Sequence, residues 1–104
     1  MPLKRLIKKT TVENLWIYIL SLLREQPMYA YEIPKKIKEN FGFEIGNVTA
    51  YIILYKLENS DYVETKWKFQ NNRQRKYYAI TEKGKKLLND GALYLEGLLK
   101  KIKR

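Results

Sequence analysis

Residues 62 to 88, "YVETKWKFQNNRQRKYYAITEKGKKLL", carry two changes of period within one short stretch. In the segment 62–69, Val63, Thr65, Trp67 and Phe69 alternate with Tyr62, Glu64, Lys66 and Lys68, the pattern of a strand with one buried and one wet face. A second strand is read at 75–80, "RKYYAI". The five residues between, Gln70 to Gln74, give a hairpin with a polar, cationic tip. Thr81 then stands where the N-cap of a long helix belongs, over about 82–102.

Upstream of this hairpin the period is helical. Thr10 followed three residues later by Glu13 fits a capping box. Val12, Leu15, Trp16, Ile19, Leu20 and Leu23 recur at helical spacing, which predicts a helix over about 11–24 ended by Gln26-Pro27. A second helix is expected over about 29–40, starting near Tyr31 so that Pro34 falls in its first turn, with Ile33, Ile37 and Phe41 inside and Gly42 as its C-terminal cap. A third runs from an Asn47 cap to about Asn59, with Val48, Tyr51, Ile52 and Tyr55, joined by Leu54 and Leu57, as its apolar stripe. The ends, roughly 1–8 and 102–104, read as loosely structured.

Three helices, a hairpin and a further helix on a basic chain describe a mainly α fold with a small β-hairpin. This is a winged helix-turn-helix, residues 1–81 with the wing at about 62–80, followed by a C-terminal helix, 82–104. In that architecture the third helix enters the major groove of double-stranded DNA and the hairpin lies along the backbone or the adjacent minor groove. The last helix spaces Leu88, Ala92, Leu95, Leu99 and Ile102 by 4, 3, 4 and 3, a helix–helix seam that expects a second copy of the chain as its partner.

Composition narrows the chemistry. With 104 residues the chain builds one small domain. Its 21 Lys and Arg against 11 Asp and Glu, a formal charge of +10, favour a polyanionic partner. From 66 to 86 there are eight basic residues and one acidic one, so the wing's cations have phosphates as their expected neighbours. The absence of Cys and His removes disulfides, thiolate metal sites and imidazole acid–base chemistry, and points away from an enzyme. No metal or cofactor is expected. The longest apolar run, 15–23, is too short to span a bilayer and no cleavage site follows it, so a cytoplasmic protein without a membrane role is expected.

"PMYAYEI" at 27–33, "IGNVTAYIILYKLENSDYVE" at 45–64 and "NRQRKYYAITEKGKKLL" at 72–88 closely resemble the PadR family of transcriptional regulators, in its short form, over about residues 12–100. The resemblance implies a homodimeric winged-helix repressor on a roughly palindromic operator. Residue by residue, it implies that Tyr31 is the family's tyrosine of the second helix and that Thr49 and Tyr51 face DNA or support a phosphate contact. Arg73, Arg75 and Lys76 match the wing's basic motif, Tyr78 its second tyrosine and Thr81 the cap of the long helix. The family often has Gly at the position of Ala30, and Gly-Arg-Pro-Arg where this chain has Asn72-Arg73-Gln74-Arg75.

The residues also carry blander readings. Tyrosines on an apolar helical stripe favour core over contact, which applies to Tyr51 and Tyr55. Asn47 is an N-cap by type, yet Asn47 and Thr49 on a first turn also reach phosphates or base edges. Trp16 and Trp67 favour ordinary packing, although some PadR relatives hold aromatic compounds beside such side chains, so a small aromatic effector enters as a candidate partner. Against the operator-binding regulator stand a sequence-tolerant architectural DNA-binding protein, which 16 Lys against 5 Arg would suit, and a protein-interaction module.

Overall fold

A computed structural model describes residues 1–104. Pro2 opens the first helix, α1 (Pro2–Thr10), where its missing N–H is not needed. The expected loose start and the Thr10–Glu13 capping box are therefore both corrected. Thr10 ends α1 rather than starting the next helix, because its hydroxyl donates back to the Leu6 carbonyl at 2.8 Å and that of Thr11 to Ile7 at 2.6 Å. Glu13 is instead taken by Lys9, at 2.8 Å. A 3-10 turn, Val12–Asn14, leads into α2 (Leu15–Glu25), which buries Leu15, Ile19, Leu20, Leu22 and Leu23.

Gln26 is extended (φ −168°, ψ 155°), as the residue before a proline must be, and ends α2 where expected. The chain then forms a strand that period analysis did not find, β1 (Met28–Tyr29), since two residues carry no period. Helix α3 (Glu32–Phe41) holds Pro34 in its first turn and stops at Gly42, whose φ of +79° a side chain would resist while its N–H bonds the Lys38 carbonyl. Helix α4 (Asn47–Asn59) is capped by Gly46, not by Asn47, which is already the first helical residue and makes no side-chain cap bond.

Strands β2 (Val63–Gln70) and β3 (Arg73–Ile80) pair antiparallel through eight residues, from Val63 opposite Ile80 to Gln70 opposite Arg73. The hairpin turn is thus two residues, Asn71 and Asn72, and not the five expected. Their φ angles of 53° and 60° are the left-handed pair a tight hairpin needs, which Asn tolerates better than other non-glycine residues. Strand β1 adds to the far edge of β3, giving the order β1-β3-β2. The inward set of β2 holds only for Val63 and, in part, Thr65. Trp67 and Phe69 are 63% and 71% exposed, because the hairpin outruns the core.

Helix α5 (Glu82–Lys103) begins as predicted, Thr81 Oγ1 accepting the Gly84 N–H at 3.0 Å. Gly84 lets it lie against the chain, since a Cβ there would fall 2.1 Å from the Tyr62 carbonyl oxygen. Gly84 and Leu88 are buried; beyond them Leu95, Leu98, Leu99 and Ile102 are exposed, in a molecule 55 Å long. Leu88, assigned to the seam, is instead buried in this chain's own core, where α5 packs on α2 and β3.

Candidate nucleic-acid interface

The fold splits the apolar stripe expected of α4. Ala50, Leu54 and Leu57 face the core, while Val48, Tyr51, Ile52 and Tyr55 face solvent. The core reading of Tyr51 and Tyr55 is overturned: they are 52% and 57% exposed. Asn47 and Thr49 lie exposed on the first turn beside them. The outer face of α4 therefore mixes hydrogen-bonding and apolar side chains in the way base edges and thymine methyls require.

The register of the hairpin sorts its cations. Lys66, Lys68, Arg73 and Arg75 share one face of the β2–β3 ribbon, and none of them forms an ion pair with a carboxylate. Aromatic rings hold two of them. Lys68 Nζ is 4.8 Å from the centre of the Tyr77 ring, and the Arg75 guanidinium is 4.7 Å from Tyr29 and 5.7 Å from Tyr31. Lys76 lies on the other face, opposite Trp67, with Glu58 of α4 at 3.8 Å. Thr65 also donates to Glu58, at 3.1 Å, so one carboxylate ties the wing to α4.

Tyr31, at the N-terminus of α3, accepts a hydrogen bond from Arg75 at 3.1 Å, and its hydroxyl is 2.6 Å from that of Tyr29. The bond with Tyr29, then Arg75, holds the Tyr31 hydroxyl below the ordinary phenol value. The same Tyr29–Tyr31 bond pushes Tyr29 up.

These pieces enclose an open cleft of about 610 Å³ between α4, the start of α3 and the wing. Of the seven predicted contact residues, Tyr31, Tyr51, Arg73, Arg75 and Lys76 line it, while Asn47 and Thr49 sit outside on the first turn of α4. Sequence reasoning missed Tyr29 as the support of Arg75, Trp67 as a wall of the cleft, and Glu58 as its brace.

A second cleft, about 670 Å³, lies between α2 and α5 and is lined by Trp16, Ile17, Tyr18, Leu88, Tyr94 and Leu95, among others. Trp16 packs over Gly91, where a Cβ would come within 2.9 Å of the indole. Of the predicted seam, Ala92, Leu95, Leu99 and Ile102 are exposed. The chain holds no cluster of acidic side chains that could bind a metal ion, and no helix is long and apolar enough to cross a membrane.

A fold of this kind with such a cleft invites comparison with known regulators. A transcriptional regulator from Clostridium thermocellum is 32% identical, with 85% of this chain and 87% of that chain covered and a TM-score of 0.73. A PadR family transcriptional regulator from Eggerthella lenta is 25% identical over 96% of this chain and 88% of that one, at a TM-score of 0.82. Bacillus subtilis PadR in complex with operator DNA is 28% identical, covering 75% of this chain and 46% of that one, at 0.69. No match was found among curated proteins. Residues 19–90, from α2 through the wing into α5, match the profile of the transcriptional regulator PadR-like family. The chain shares its winged-helix architecture with these regulators as well as that profile, and it belongs to the PadR-like family of transcriptional regulators, which are not enzymes.

Proposed function

We propose that this regulator is a homodimeric repressor that binds a palindromic operator and excludes the transcription machinery from it. One observation carries the reading: the exposed first turn of α4 and the carboxylate-free cations of the wing flank a single cleft. A phosphate ridge fits there, with α4 in the major groove on one side and the wing across the backbone on the other. Residues 1–81 then serve as the DNA-binding unit, with contacts from Tyr31, Asn47, Thr49, Tyr51, Arg73, Arg75 and Lys76. The structure of Bacillus subtilis PadR with operator DNA supports the assignment of duplex DNA as partner.

Residues 82–104 serve as the dimerisation helix. Support comes from the apolar side chains α5 leaves uncovered, Leu95, Leu99 and Ile102 with Ala92, which need a second copy to leave water. Leu95→Lys is expected to give a monomer, read as a halved mass by light scattering. The cleft between α2 and α5, with Trp16 on its wall, is the place for a small aromatic effector. A repressor of this kind acts where the chromosome is, in the cytoplasm.

Selection of bound duplexes from a random DNA pool at near-physiological salt tests the reading. A palindrome with half-sites about one helical turn apart is expected. Tight binding without enrichment would instead support an architectural role, to which the lysine-rich charge is suited.

A further inference from the structure

The wing has a second face, on which Lys76 is the only cation among the proposed contacts. Trp67 and Phe69 project from β2 on the side opposite the Lys66, Lys68, Arg73 and Arg75 face, where the hairpin has outrun the core. Both are more than three-fifths exposed. Two large aromatic side chains held in water at the end of a stiff ribbon lose the hydrophobic stabilisation that burial would bring, so their surroundings must identify what covers them.

Three observations bear on the occupant. Trp67 stands on the wall of the cleft that also holds Tyr51 of α4, so its face is turned toward whatever α4 contacts. The ribbon around the pair is cationic: Lys66, Lys68, Arg73 and Arg75 pair with no carboxylate, and only Lys76, opposite Trp67, has one, Glu58 at 3.8 Å, so the field draws a polyanion. Strand β2 is a sheet edge, and Lys66 and Lys68 along it oppose the addition of a strand from a protein partner.

We propose that Trp67 and Phe69 form an aromatic wedge that enters the DNA minor groove beside the phosphate ridge, stacks on base edges and bends the duplex. Apolar side chains inserted at base steps act in this way in minor-groove proteins. The proposal rests on the DNA-binding reading above and deepens it: the lysine and arginine face supplies affinity through charge, and the aromatic face deforms the duplex.

The test uses the chain's two tryptophans. In Trp16→Phe, Trp67 is the only indole, and its emission is followed on titration with a mixed-sequence DNA duplex and, separately, with heparin, a polyanion without bases. The duplex is expected to quench it severalfold and heparin to leave it unchanged. Should Trp16→Phe fold poorly, the difference between the titrations of wild type and Trp67→Phe gives the same quantity. The double change Trp67→Ala with Phe69→Ala is expected to lower duplex affinity about tenfold at an unchanged salt slope, and to abolish the approach of the duplex ends seen by energy transfer. Duplex binding with Trp67 emission unmoved, or equal quenching by heparin, would overturn the wedge and leave the DNA-binding reading standing. Failure to bind any duplex at low salt would remove both.

Discussion

Helices α2 and α4 are made of similar material and put it to opposite use. "LWIYILSLLRE" buries Leu15, Ile19, Leu20, Leu22 and Leu23, whereas "NVTAYIILYKLEN" buries Ala50, Leu54 and Leu57 and turns four apolar side chains, Val48, Tyr51, Ile52 and Tyr55, outward. Helix α2 runs through the middle of the domain, touching α3, α4, α5 and β3, so nearly every direction around it is occupied. Helix α4 lies at the surface with one side open. The difference teaches that apolar content measures how much a helix can bury, while its neighbours decide how much it does, and a surplus at the surface marks a face held for another molecule.

The largest effect should come from the buried helix. Ile19→Ala is expected to cost about 2–5 kcal/mol in chemical denaturation and to leave the DNA affinity of the folded fraction intact; a stable variant with lost binding would invert the contrast. Next, Arg73→Ala with Arg75→Ala should weaken binding to every duplex and lower the salt slope by about 2, measured by anisotropy over a potassium chloride series. Wild-type affinity at every salt concentration would remove the wing from the interface.

On α4 itself, Asn47→Ala or Thr49→Ala should change preference among sequences by about 1–3 kcal/mol with little change against mixed DNA, as read from the selected pools. The smallest effect sharpens the comparison most. Ile52→Ala, on the open face of α4, should shift stability by about 0.5 kcal/mol or less, and a cost near that of Ile19→Ala would mean this face is packed in solution.

What was legible in the residues was punctuation. Pro27, Gly42 and Thr81 set helix ends through effects confined to a few bonds, and the structure places those ends as read. The cations of the wing were legible because exposure is the ordinary state of charge. The split of the α4 stripe was not, because Leu54 and Leu57 satisfy the helical period as well as Tyr51 and Tyr55 do, and only the packing of α2 and α3 separates them. Alternation along β2 gave the side on which Trp67 lies but not how far the core reaches along that side. Thr10 and Glu13 satisfied a pattern that the extra helix α1 put to other use.

The stacking of Arg75 between the wing and the two tyrosines has a consequence for the thermodynamics of recognition. A long cation on an open surface samples many rotamers, and a partner that holds it must remove that freedom at the moment of encounter. Arg75 lies over Tyr29 and bonds Tyr31 before any phosphate arrives. Its disorder is surrendered when the domain folds, so the entropic penalty of association falls on the looser Lys66 and Arg73.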